Sequence, residues 1–260
     1  MTNKNQLNDN LIQAAKHGNL INVKSLIEQG ADIHAKDDES LKRSAANGHL
    51  EVVKYLIDKG ANIHAEMDYA LRYSAGNGHL YIVKYLVEQG ADISTDNDWA
   101  LKWSAAHGRL ETVKYLVENG ADIHTEMDYA LRYSSYYGHL EVVKYLFEQG
   151  ADIHADNDWA LKWSATQGHL ETVKHLVEKG ANIHAEMDYA LKHSAFYGHI
   201  EVVKYLIIDC NMTIKKETLD VLMANNLLDV IHIINNRDLY NQLDKKLEID
   251  IINNNSKRKI

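Results

Sequence analysis

The stretch Gly138-His-Leu-Glu-Val-Val-Lys-Tyr-Leu-Phe-Glu-Gln-Gly-Ala-Asp-Ile153 comes back along the chain with few changes, and that recurrence decides the architecture. Gly30, Gly60, Gly90, Gly120, Gly150 and Gly180 each open a Gly-Ala-(Asp/Asn)-Ile segment at a constant step of 30 residues. Gly18, Gly48, Gly78, Gly108, Gly138, Gly168 and Gly198 keep the same step, with His-Leu-Glu after Gly48, Gly138 and Gly168 and variants of it after the others. Seven units are therefore legible. A longer period lies over them: Met-Asp-Tyr-Ala-Leu stands at 67–71, 127–131 and 187–191, and Asn-Asp-Trp-Ala-Leu at 97–101 and 157–161. The array reads as copies of a two-unit block.

One unit shows what each copy folds into. After Asp98, the run Trp99-Ala-Leu-Lys-Trp-Ser-Ala-Ala-His107 has no proline and ends at Gly108, which predicts a short first helix with a left-handed residue behind it. From Leu110, Val113, Leu116 and Val117 recur at helical spacing up to Gly120, so a second amphipathic helix follows. Two helices of about three turns cannot enclose a core of their own. Leu101, Ala105, Val113, Leu116 and Ile123 must be buried against neighbouring units, and stability must come from stacking.

Composition bounds the function. The 260 residues are 45% hydrophobic and 25% charged, ordinary for a folded chain. Lys+Arg number 28 against 37 Asp+Glu, and the net charge of −9 disfavours nonspecific nucleic-acid binding and anionic membranes. The N-terminal residues carry no apolar signal segment, and no uncharged apolar run is long enough to span a bilayer. With one cysteine, Cys210, the chain fits a reducing compartment, so an intracellular, cytoplasmic protein is expected.

The residues of 138–153 resemble the second helix and following turn of the ankyrin repeat, and the resemblance covers about residues 7–210. It implies an all-α solenoid of stacked helix-turn-helix repeats. Two departures matter. The usual unit has about 33 residues and starts its first helix with Thr-Pro-Leu-His, whereas Trp99-Ala-Leu-Lys102 or Tyr69-Ala-Leu-Arg72 stands there in this chain. The turn between units should be shorter than the family's hairpin, and the hydrogen bonds of the family's Thr and His must be replaced. Shortened, proline-free arrays of this kind are similar to the ankyrin proteins of giant amoebal DNA viruses, which would put the protein in a host cytoplasm.

The expected organisation is a repeat array over 1–210 including an N-terminal cap, a degenerate C-terminal capping repeat over 211–236, and a polar tail over 237–260. At the end of the array, Cys210 takes the sequence position of the next turn glycine.

No motif supports catalysis. His49-Leu-Glu51 and its copies match half of a zinc-deaminase signature whose Pro-Cys-x-x-Cys half is missing. Gly76-Asn-Gly78 lacks the third glycine of a dinucleotide loop, and no nucleophile elbow or phosphate loop occurs. Of 15 histidines, ten fill two repeat positions, His34, His64, His124, His154 and His184 in the turn and His49, His79, His139, His169 and His199 before the second helix. Helices stack about 8–10 Å apart, whereas zinc ligands sit about 2 Å from the metal, so these ladders read as scaffold. No metal, cofactor or catalytic residue is expected.

Asp68, Asp98, Asp128, Asp158 and Asp188 read as N-caps of the first helices, with Asp68–Arg72 a favourable i,i+4 pair. Glu66, Asp96, Glu126, Asp156 and Glu186 would form an acidic row that is either a solvated face or a lure for a basic partner. Aromatics four apart, such as Tyr69/Tyr73 and Trp99/Trp103, should pack between units.

The two positions before each central glycine vary most among copies: Ala46-Asn47, Gly76-Asn77, Ala106-His107, Tyr136-Tyr137, Thr166-Gln167 and Phe196-Tyr197. In the ankyrin family the matching positions end the first helix on the concave face and commonly touch the bound protein. By that resemblance the partner-binding residues are Tyr136, Tyr137, Phe196 and Tyr197, flanked by Trp103, Trp163, His107 and Gln167. The expected protein is a monomeric interaction module that binds a partner protein, in a viral setting a host protein, without chemistry. The rival reading is a structural or self-assembling repeat protein.

Overall fold

A computed structural model describes residues 4–212, 214–224 and 230–232. Every regular element among them is helical, and the chain divides into two compact units after Ala160. In the first unit the pairs are α1 (Lys4–Lys16) with α2 (Leu20–Glu28), α3 (Ala35–Ala46) with α4 (Leu50–Asp58), and α5 (Ala65–Asn77) with α6 (Leu80–Glu88). They continue with α7 (Thr95–Ala106), α8 (Leu110–Glu118), α9 (Thr125–Tyr136) and α10 (Leu140–Glu148), and α11 (Ala155–Thr166) follows. The second unit holds α12 (Leu170–Glu178), α13 (Ala185–Phe196), α14 (Ile200–Lys204) with a π-helical turn over Tyr205–Asp209, and α15 (Lys216–Ala224).

Within the first unit α1 to α10 each pack on their counterpart in a neighbouring repeat. In the first unit α1, α3, α5, α7 and α9 form one layer, and α2, α4, α6, α8 and α10 the other. Leu101, Ala105, Val113 and Leu116 are buried between neighbours as the pattern requires, while Ile123 is only half-buried. A nine-residue helix such as Leu110–Glu118 is marginal alone in water. Its Val113 and Leu116 supply the stability that propensity does not. Both helices of a repeat close the same way: the N–H groups of Gly108 and Arg109 donate to Ala105 and Ser104, and those of Gly120 and Ala121 donate to Val117 and Leu116. Gly108 (φ 68°) and Gly120 (φ 98°) are left-handed, as this closure needs.

The inter-repeat turn holds the main surprise. Three successive residues are left-handed in six junctions: Lys36-Asp37-Asp38, Glu66-Met67-Asp68, Asp96-Asn97-Asp98, Glu126-Met127-Asp128, Asp156-Asn157-Asp158 and Glu186-Met187-Asp188. One left-handed turn thus replaces a projecting hairpin. Only the last residue of each triplet is invariably of a type that tolerates this conformation, and the cost is about 1–2 kcal/mol per residue. The turn persists because the next repeat binds it.

The end of the array is adjusted by one residue. In the register of the earlier repeats Cys210 would be the left-handed turn residue, yet it is right-handed (φ −88°), and Asn211 (φ 52°) takes that role. The π-helical turn, with the Cys210 N–H donating to the Tyr205 carbonyl, absorbs the extra residue. The Met212 N–H then closes on Leu206 as Ala181 closes on Leu176, and Met212 is buried. Asn tolerates the left-handed region better than Cys. Of the expected cap over 211–236, α15 packs on α13 and buries Leu222. The expected tail over 237–260 lies outside the described residues.

Candidate functional site

Each repeat has a constant edge that holds its neighbour and a variable edge that faces solvent. At the constant edge the left-handed aspartates are buried and serve as hubs. The Asp68 carboxylate accepts from His64 Nδ1 (3.0 Å) in its own turn, and from the Asp92 N–H (3.2 Å) and the Thr95 hydroxyl (3.0 Å) of the next repeat. Asp38, Asp98 and Asp128 take the backbone N–H of Asn62, Asp122 and Asp152 in the same way. These bonds join each turn to the next repeat. The aspartates are therefore not N-caps of their own helices: Asp68 (φ 53°, ψ 38°) lacks the extended backbone of an N-cap, and its carboxylate is turned to the next repeat. In the second unit Lys215 closes Asp188 at 2.6 Å. Burial pushes the Asp188 carboxyl up, but the Lys215 and His184 bonds win and its pKa falls below the ordinary value.

The acidic row is neutralised rather than free. Lys42–Glu66 (2.6 Å), Arg72–Asp96 (2.9 Å), Lys102–Glu126 (2.8 Å), Arg132–Asp156 (2.5 Å) and Lys162–Glu186 (2.6 Å) pair each acid with a cation 24 residues earlier. Arg72 thus pairs with Asp96 and not with Asp68, while its second guanidinium nitrogen donates to the Glu66 carbonyl (2.8 Å). The cations are largely buried along their stems and the acids half exposed. Burial lowers the Lys42 pKa, yet the bonds to Glu66 and Glu39 outweigh it and the net shift is upward. The Lys102 bond holds Glu126 below its ordinary value.

The histidines before the second helices lie against the preceding repeat. Nε2 of His49, His79, His139 and His199 donates to the carbonyls of Lys16, Ala46, Ala106 and Thr166, and the Arg109 guanidinium replaces the imidazole on Gly76. A Cβ on Gly108 would stand 2.6 Å from the His139 ring, so glycine is needed there for space as well as for φ. The turn histidines His34, His64, His124, His154 and His184 each donate Nδ1–H to the hub aspartate four residues on. Among the described residues no three His, Cys, Asp or Glu side chains converge as a metal site would require, and no helix is long and apolar enough to cross a membrane.

The variable edge carries the expected partner-binding residues. In the first unit Trp103, His107 and Tyr137 are exposed, with Tyr137 at 51%, and Tyr136 is half-buried. Tyr136 stands edge-on to Tyr137 (4.8 Å between centroids) and 6.0 Å from Trp159. Tyr69–Tyr73–Trp99–Trp103–His107 form a run of adjacent rings 3.9–5.1 Å apart, so the spaced aromatics do pack between repeats there. Tyr129, against Tyr133, has its phenol pushed up to about 12, first by burial and then by that neighbour. In the second unit Phe196 (59%) and Tyr197 (58%) are exposed and edge-on at 5.1 Å. Gln167 is exposed there, and Trp163 is half-buried against Tyr189. Asn77 is different in kind: its amide donates to the Ala46 carbonyl of the preceding repeat.

Sequence reasoning missed the hub bonds and the cation–acid pairing, because it looked for partners within a helix turn. The signal was available: cation, acid and ring change identity together on alternate repeats.

The family described as "Ankyrin repeats (3 copies)" matches residues 2–68, 41–127, 96–157 and 131–218. The chain belongs to the ankyrin-repeat family. Ankyrin repeats generally act as protein-interaction modules, and nothing in this array indicates catalysis. No individual curated protein matches the chain.

Proposed function

We propose that this ankyrin-repeat protein binds a partner protein, a host protein if the array is viral, through the concave face formed by the ends of its first helices. The contacts are Trp103, His107, Tyr136 and Tyr137 in the first unit, and Trp163, Gln167, Phe196 and Tyr197 in the second. The observation that carries this reading is the exposure of Tyr137, Phe196 and Tyr197 at positions whose identity changes from copy to copy, beside a framework that hardly changes. Exposed aromatics give large contact area at low side-chain entropy, and Tyr and Trp are over-represented in hot spots. The binding needs no cofactor and takes place in the cytoplasm.

The rival reading, open-ended self-assembly, has less support. The cation–acid ladder stops in the second unit: Lys216 occupies the position, 30 residues after Glu186, where another repeat would supply the acid for Lys192. The protein then works as a monomer. The test starts by capturing the partner from cytoplasmic lysate and identifying it by mass spectrometry. Calorimetry on Y137A/Y197A should then show binding weakened at least tenfold with the melting temperature little changed, while N47A binds normally. Normal binding by the tyrosine variant would remove the aromatic tips from the contact surface.

A further inference from the structure

Two kinds of repeat alternate, and the surfaces between them differ in a coordinated way. Where the earlier repeat supplies lysine, the next supplies glutamate and tyrosine: Lys42 with Glu66 and Tyr69, Lys102 with Glu126 and Tyr129, Lys162 with Glu186 and Tyr189. Where it supplies arginine, the next supplies aspartate and tryptophan: Arg72 with Asp96 and Trp99, Arg132 with Asp156 and Trp159. In every case the cation lies over the ring as well as against the acid, at 5.6 Å for Lys42 and Lys102, 5.9 Å for Lys162, 5.1 Å for Arg72 and 5.3 Å for Arg132.

The matching has a physical basis. The longer guanidinium reaches a shorter acid, and the shorter ammonium needs the longer one. Arginine also uses its fork: one nitrogen meets the next repeat's aspartate and the other the carbonyl of its own left-handed turn, Glu66 or Glu126. A planar guanidinium gains more over an indole than a point charge does. Exchanging Lys for Arg, or Asp for Glu, changes no net charge but spoils the reach and the stacking together.

We propose that these three positions form a pairing code by which a repeat recognises the kind of neighbour it stacks on. Chains of near-identical repeats are exposed to slipped stacking, in which a repeat docks one place out of order. A slip by one repeat sets arginine against glutamate and tyrosine, or lysine against aspartate and tryptophan, whereas a slip by two restores every match. The code blocks odd slips, and so keeps the variable edges in their encoded order.

The experiment exchanges whole repeats in the full-length chain. Interchanging 61–90 with 91–120 leaves composition and length unchanged, but sets Lys42 before Asp96 and Trp99, and Arg72 before Glu126 and Tyr129. Interchanging 61–90 with 121–150 moves as many residues and leaves every junction matched. Folding is measured by chemical denaturation with circular dichroism and tryptophan emission. The first exchange should lower the folding equilibrium constant at least tenfold, and the second less than threefold. Adding K42R and R72K to the first exchange re-matches both junctions and should recover most of the loss. The proposal is overturned if the two exchanges cost the same, if the first costs nothing, or if the two substitutions, including in an exchange that fails to fold, restore nothing.

Discussion

The two edges of each repeat face opposite demands. At the turn edge, Asp68 is buried and joined to His64, Asp92 and Thr95, and Glu66 is tied to Lys42. At the other edge Tyr137, Phe196 and Tyr197 are more than half exposed. The first edge repeats its residue types from copy to copy and the second does not. In a stacked array a residue whose partner is the neighbouring copy is fixed by that copy, and one that faces solvent is released from it. The comparison teaches where stability and recognition are each to be sought.

The largest way to break the comparison is at the hub. Asp68→Ala leaves the Asp92 N–H and the Thr95 hydroxyl without their acceptor at a site where Asp68 is 4% exposed, and orphaned buried donors cost about 1–3 kcal/mol each. A loss of about 3 kcal/mol is expected, against little change for Y137A. Because repeat arrays depart from two-state unfolding, hydrogen exchange at the Asp92 amide should accompany the denaturation curve. Equal stability of D68A and Y137A would erase the distinction between the edges.

Acid should act on the molecule in two steps. Burial holds the His79 and His193 pKa values below the ordinary histidine value of about 6.5. Their neutral forms contribute stability that is present above that value and lost as pH falls through the lower folded values. Glu126, held down by Lys102, and Asp188, held down by Lys215 and His184 against its burial, act likewise below about pH 4.5. The melting temperature should be level near pH 8, decline below about pH 6.5, and fall again below about pH 4.5. H79N should blunt the upper step only. A melting temperature that rises on acidification from pH 7 to pH 5 would contradict both assignments.

Much of this was legible in the chain and some was not, for identifiable reasons. The paired glycines, such as Gly108 and Gly120, gave the helix ends, and Val113 and Leu116 gave the buried stripe, because helix periodicity and left-handed closure are local. Asp68 was misread as a cap because the N-cap rule is also local, whereas its partners lie 24 and 27 residues on. The acidic row was misread for the same reason. The left-handed triplets were hidden by their composition: Glu66 and Met67 carry no sign of positive φ, and only the missing three residues of the turn hinted at an unusual connection.

The triplets offer the smallest and most diagnostic test. Met127 has φ 56° and ψ 54° and is 66% exposed, so its side chain contributes little packing while its backbone carries the left-handed cost. Asn97 and Asn157 stand at the same place in the alternate repeats, and asparagine tolerates that conformation. Glycine tolerates it freely, although its greater freedom in the unfolded chain offsets about 0.5–1 kcal/mol of the relief. M127N and M127G should therefore each stabilise by about 0.5–1 kcal/mol, and M127V, β-branched and ill suited to positive φ, should destabilise. Calorimetric melting of the three variants reads the order directly. An extended or right-handed Met127 would reverse it, with glycine the least stable and valine harmless. Such a reversal would also remove the reason why the turn edge has to be held by the next repeat at all.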